Sequence, residues 1–320
     1  MSLWREYRST LKALEVEEPI DLALHRPPAF LVAKLAALTP ITPNQVTLLS
    51  MLVGIAGGAC LFLEGTHTHL IAAALLVVSQ IFDCADGMLA RMRRASSDLG
   101  RMLDGTADAI TLIAATAGSI FLILRMYPEP WYVVVLYGAL CWITIHTSSF
   151  HTSAYDHYKN VFQRFSDPDS GEGEDLDDAR ARWKKAKARR LSLVERFVWA
   201  IYLNYLKSQR RLLGWFDPHT SQRMSDLPPW TAERAAAYRR AALAPMRVWA
   251  GLFGVGSLVF GLALFNAIGR PDWFMWYRAV GLNAVFLLYL LPAQRRASRV
   301  ALQSSAAEQA ARAPVREAAR

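Results

Sequence analysis

With three cysteines in 320 residues, this chain has too few for a disulfide framework, and Cys60, Cys84 and Cys141 all lie in or beside apolar segments. They read as small core residues, which excludes a cysteine-rich scaffold and a thiolate zinc site. The first ten residues, MSLWREYRST, lack an apolar core, so no cleaved signal peptide is expected. There is no internal repeat and no low-complexity array. The formal charge of +9 comes without a base-reading motif, so nucleic acid is not an expected partner.

Apolar residues, by contrast, make up 53% of the chain. Six segments reach or approach the ~20 helical residues that a hydrocarbon core requires. They run over 46–64, 69–90, 105–126, 131–149, 247–268 and 273–293. Lysine and arginine are nearly missing from alternate links: GTHTH has none, and the other two hold Arg125 and Arg270 at their edges. The opposite links carry Arg91, Arg93, Arg94 and Arg101, the block RARWKKAKARR at 180–190, and Arg295, Arg296 and Arg299. That asymmetry puts both termini in the cytoplasm.

Ahead of the first segment, PIDLALHRPPAFLVAKLAAL has apolar positions at helical spacing but is too short and punctuated to span. An interfacial amphipathic helix is the better reading. The expected fold is therefore an all-α integral membrane protein with six transmembrane helices, an N-terminal interfacial helix and both termini cytoplasmic. Its parts are an interfacial segment (1–45), helices one to four (46–150), a charged cytoplasmic insertion (151–244), helices five and six (245–293) and a cytoplasmic tail (294–320). Within the insertion, the basic block is either a solvated helix face or a site of attraction to anionic headgroups. LSLVERFVWAIYLNYLKSQRRLL reads as a helix lying on the membrane or packing on the core, because Glu195 and Arg196 interrupt its start.

Acids stand where the membrane pattern least expects them. In DCADGMLARMRRASSDLGRMLDGTAD, residues 83–108, Asp83, Asp86, Gly87 and Ala90 fall on one helical face, and Gly100, Asp104 and Asp108 on another. Two helices joined by a short basic link would each present two carboxylates to a shared space. Four such groups cannot all stay ionised without compensation, and an oxygen-rich set of this kind suits Mg²⁺ or Mn²⁺. Gly87 and Ala90 leave room for a bulky group, and Arg91 offers a fork of donors to a phosphate. Together these residues point to phosphoryl chemistry on a nucleotide-like substrate.

The stretch resembles, at every fixed position, the signature of the CDP-alcohol phosphotransferase family: D-x-x-D-G-x-x-A-R, eight residues, then G-x-x-x-D-x-x-x-D. TPNQVT at 42–47 is similar to the opening of the first span in that family, and the likeness covers about 20–160. The resemblance implies a six-span membrane enzyme, usually a homodimer, that transfers a substituted phosphate from a CDP-linked alcohol to a small alcohol acceptor and releases CMP. It further implies two divalent metals, Mg²⁺ or Mn²⁺, on Asp83, Asp86 and Asp104, with Asp108 completing the site and acting as general base. Gly87, Ala90, Arg91 and Gly100 would contact the CDP group, with Asn44 and Thr47 near it. Lipids are the expected surroundings, and the active site is expected on the cytoplasmic side, at the inner membrane if the source is bacterial.

CDP-diacylglycerol is the expected donor, for phospholipid biosynthesis. A soluble CDP-polyol donor keeps the same chemistry, because HRPPAFLVAKLAALTPITPNQVTLLS is similar to the start of inositol-joining members. A cation carrier is the alternative from another class, although such sites usually lie near the midplane of repeated halves. Tyr155, Asp156, Tyr158 and Lys159 follow the fourth segment and are read as interfacial anchors or as contacts to the acceptor.

Overall fold

The computed structural model describes residues 3–11, 13–95, 97–128, 130–166, 175–188, 191–220 and 230–301, and every regular element among them is helical. The acidic run at 167–174 and the tail beyond 301 lie outside the described residues. In chain order the helices are α1 (Leu3–Ser9), α2 (Arg26–Ala37), α3 (Pro43–Cys60), α4 (Thr68–Met92), α5 (Asp98–Met126) and α6 (Trp131–Ser166). Then follow α7 (Leu176–Lys187), α8 (Leu193–Phe216), α9 (Ala232–Leu252), α10 (Val255–Ala267) and α11, a rod over Pro271–Ala301 that contains two π-turns.

Five stretches among the described residues are long and apolar enough to cross a membrane: α4, α5, α6, α9 running into α10, and α11. The chain is thus an integral membrane protein of all-α class. The first expected crossing, 46–64, corresponds to α3, which is not one of the five. Its 18 residues open on the polar turn Pro43–Asn44–Gln45, which leaves a short apolar stretch for a core of ~30 Å. That turn is well made. Thr42 accepts from the Gln45 amide, Gln45 accepts from the Thr42 amide at 2.8 Å, and Pro43 fills a position whose missing N–H costs nothing.

Two boundaries differ from expectation. Helix α6 continues to Ser166 rather than ending near 149, and α9 begins at Ala232, well before 247. The insertion therefore starts and ends on extensions of two spans. These extensions pack together through Phe162 and Phe165 of α6 and Tyr238 and Ala242 of α9. Aromatic residues at helical spacing past the membrane end keep both helices wound, because each buries its stripe on the other.

Around the acidic stretch the packing is tight. Helix α3 runs along both α4 and α5. A Cβ at Gly58 would collide with the Ala114 backbone, and one at Gly118 with the Gly58 carbonyl. Small residues at this crossing let two backbones touch, the usual device where lipid supplies no hydrophobic drive between helices. All three cysteines are unpaired thiols.

Candidate metal and phosphate site

The acid-bearing hairpin is built from local signals. Helix α4 ends after Met92, where Arg94 takes φ 51° and the Ala95 amide donates back to the Ala90 carbonyl at 2.9 Å. Helix α5 starts at once, with Ser97 accepting from the Gly100 amide at 3.0 Å. Arg93, expected as a plain inside-positive residue, donates to the carbonyls of Ala36 at 2.9 Å and Thr39 at 2.6 Å, which ties the hairpin to the end of α2.

The short link brings the two acidic faces together. Asp83, Asp86 and Asp104 each offer one oxygen, and these oxygens lie within 4.8 Å of one another. Like charges at that range repel by a few kcal/mol per pair at an effective dielectric of about 20. The protein supplies little relief. Asp86 accepts from the Thr47 hydroxyl, and Asp83 Oδ2 accepts from Gln80 Nε2 at 3.2 Å. Asp83 Oδ1 is buried with no hydrogen-bond partner, and among the described residues neither Asp83 nor Asp86 pairs with a lysine or arginine. An orphaned carboxylate oxygen beside two more carboxylates fits a hard divalent cation. Asp108 lies outside the tight trio but interacts electrostatically with both Asp83 and Asp104.

The expected phosphate and nucleotide residues fall around this cluster. Arg91 folds back along α4, so that a Cβ at Gly87 would sit 3.5 Å from its guanidinium. Its Nε donates to the Thr10 carbonyl at 2.6 Å. Ala90 lies half-buried on the same side. A Cβ at Gly100 would meet Asn44 Oδ1 at 3.1 Å, so the start of α3 faces the start of α5. Thr47, one turn along α3, is buried and spends its hydroxyl on Asp86, which makes it a support for a carboxylate. Tyr155 and Tyr158 face inward: their hydroxyls donate to the Val16 carbonyl at 2.7 Å and to Asp217 at 3.2 Å. Neither is a lipid-facing anchor, because the extended α6 buries that side against other helices.

Sequence reasoning missed a second group of acids. Glu18 reaches across to the break between α9 and α10, where its carboxylate accepts from the Ser257 amide at 2.8 Å and its hydroxyl at 3.2 Å. Burial, with the neighbouring Asp21, pushes the Glu18 carboxyl up to about 8. Asp21 pairs with His25 at 2.8 Å, and Glu17 with Arg26 at 2.6 Å. Glu18 and Asp21 both interact electrostatically with Asp108. The signal was EVEEPID at 15–21, four acids in seven residues ahead of an apolar stretch. Arg278 was missed too. It is fully buried within α11, its Nε donating to Ser148 Oγ at 3.0 Å and Nη1 to the Leu252 carbonyl at 3.2 Å, while Nη2 has no partner. A lone arginine inside an apolar run was its signal.

Fold and site together define an integral membrane protein with a carboxylate cluster at the ends of two helices. Residues 40–165 match the family model described as CDP-alcohol phosphatidyltransferase. It is 44% identical over 81 residues to a phosphatidylinositol phosphate synthase of Corynebacterium glutamicum, across 25% of this chain and 36% of that protein. It is 32% identical over 102 residues to a CDP-diacylglycerol–serine O-phosphatidyltransferase of Mycobacterium tuberculosis, across 32% of this chain and 34% of that protein. The matched stretch thus spans about a third of the length of these curated relatives.

Proposed function

We propose that this protein transfers a substituted phosphate, a phosphatidyl group from CDP-diacylglycerol, to a small alcohol and releases CMP, as a step of phospholipid biosynthesis. The observation that carries this reading is the convergence of Asp83, Asp86 and Asp104 on one hairpin inside the matched domain. The names of the relatives support the chemistry, and one of them includes CDP-diacylglycerol as donor.

Asp83, Asp86 and Asp104 would hold two divalent cations, Mg²⁺ or Mn²⁺, with Asp108 completing the set. Such ions, when bound, neutralise a pyrophosphate and stabilise a departing phosphate. The remaining work falls to side chains. Asp108 accepts the proton of the acceptor hydroxyl, whose oxygen attacks the β-phosphorus. The bond from the β-phosphorus to the bridging oxygen breaks, and CMP leaves with that electron pair. Arg91 donates to a phosphate, Gly87 and Ala90 give the nucleotide room against α4, and Gly100 and Asn44 border it from α5 and α3. An unperturbed aspartate is a weak base, so close positioning of acceptor and donor must supply much of the rate.

In this reading α3 is a sixth crossing, α2 lies at the interface, both termini and the site face the cytoplasm (at the inner membrane if bacterial), and the protein is a homodimer. Parts 1–45, 46–150, 151–244, 245–293 and 294–320 keep their assigned places relative to the bilayer. The test is CMP release by the purified chain in lipid with CDP-diacylglycerol, Mn²⁺ and a panel of alcohols, with turnover expected for at least one. Turnover of a soluble CDP-polyol alone would replace the donor, and cation flux without CMP would remove the transferase reading. Asp108→Asn should lower turnover by about 100-fold or more, and full activity in that variant would end its assignment as the base.

A further inference from the structure

Helix α8, outside the matched domain, has three distinct sides. Its inner side carries Val198, Trp199, Leu206, Gln209 and Leu213, all buried. Val198 and Trp199 pack on Met102 in the second turn of α5, and Gln209 donates to the Ser153 carbonyl at 2.7 Å. Phe216 meets Phe150 of α6 in a tilted ring contact, with centroids 4.6 Å apart. Met102 stands two residues before Asp104, and Phe150 and Ser153 stand just past the apolar stretch of α6. Near its start α8 thus contacts the acid-bearing end of α5, and farther along it contacts α6 where the apolar stretch of that span finishes, so the helix bridges the ends of two neighbouring spans.

The side opposite the buried one is apolar at its two ends and polar between them. Leu193, Phe197 and Trp215 are 82%, 63% and 79% exposed, with Ile201 one turn past Phe197 and the exposed Asn204 and Ser208 between the two apolar ends. Along one edge of that side, Arg196, Lys207 and Arg211 are exposed. A leucine, a phenylalanine and a tryptophan this fully exposed at the two ends of one helix are costly in water. A membrane interface removes that cost, with the helix's cations at headgroup level. Charge over 175–216 points the same way, with eleven lysines and arginines against four acids. A second copy of the chain is a poorer occupant, because a two-fold pairing of this side would bring its own cationic edges together.

We propose that the outer side of α8 is embedded through Leu193, Phe197 and Trp215 in the interfacial layer of a bilayer containing anionic phospholipid, beside the acid-bearing end of α5. The helix thus joins protein core, acyl-chain boundary and headgroups along its three sides. This reading stands independently of the transferase activity.

The test uses the full chain in nanodiscs of phosphatidylglycerol and phosphatidylcholine, with benzoylphenylalanine replacing Phe197 or, separately, Trp215. The same probe at Ile113, 68% exposed within α5, sets the yield of full lipid contact. The expected result is lipid adducts at both α8 positions, comparable in yield to Ile113, without cross-links between protomers. Combined Arg196→Glu, Lys207→Glu and Arg211→Glu should lower the adduct yield several-fold in the mixed discs and little in phosphatidylcholine alone. Cross-linked protomers in place of lipid adducts would make this side an interface between chains. Adducts to neither would make it a water-facing surface, and an unchanged yield after charge reversal would remove the anionic headgroups from the proposal.

Discussion

Two groups of acids meet at one end of this helix bundle, and their treatment is opposite. In the N-terminal group every carboxylate has a partner: Glu15 has Arg239, Glu17 has Arg26, Asp21 has His25 and Glu18 has Ser257. In the hairpin group, Asp83, Asp86 and Asp104 crowd together, and one oxygen of Asp83 is buried with nothing to bind. Identical residue types thus do different work. Satisfied acids hold segments in place, while a crowded set with one buried, unbonded oxygen has the form that a divalent cation would complete.

The largest difference should appear on removing a hairpin acid. Asp83→Asn should abolish CMP release and also the rise in melting temperature that Mn²⁺ gives the parent protein, which at 100 times Kd corresponds to about 2.7 kcal/mol. In metal-free buffer the same variant should melt higher than the parent, since a like charge has gone; a lower melting point would show that the cluster is satisfied without metal. Next comes Arg26→Met, which removes the guanidinium paired with buried Glu17 and should cost about 3–5 kcal/mol in denaturant or thermal unfolding. Its Mn²⁺-dependent stabilisation should persist, and losing it would erase the distinction between the two groups.

A smaller effect is expected where a neutral side chain orients a ligand. Thr47→Val removes the donor to Asp86 while keeping the shape, and should weaken Mn²⁺ binding by about 10-fold or more in calorimetry. The smallest is a pH effect. The Glu18 carboxyl, raised from 4.5 to about 8, keeps a proton in the folded protein that the unfolded chain has already released. The stability it contributes is present below about 4.5 and is lost as pH rises through about 8. Glu18→Gln keeps an acceptor for Ser257, so its melting temperature should overtake that of the parent as the pH rises across this window. Parallel curves would remove Glu18 as the cause.

Much of the hairpin could be read from residue order. Asp83, Asp86, Gly87 and Ala90 share a face because the helix repeats every 3.6 residues, and Ser97 announces the start of α5 by its side chain. Five of the expected crossings appear as apolar helices for the same reason, and α3 misses that standard because a capping turn occupies its start. The extents of α6 and α9 were misjudged, since apolar stretches mark where lipid ends and not where a helix ends. Past the membrane, Phe162, Phe165 and Tyr238 keep the two helices wound through each other's contacts.

By itself the sequence determined the helices, their apolar lengths and the two acidic faces, because periodicity and capping act over a few neighbouring residues. It could not say that Thr47 would serve Asp86, that an acidic N-terminal run would close over the break before α10, or that α8 would bury one apolar side and leave apolar residues of another open. Those outcomes depend on which distant segments arrive beside each polar group. Whether a buried oxygen is satisfied or orphaned is a property of its neighbours in space, and the tertiary structure alone decides it.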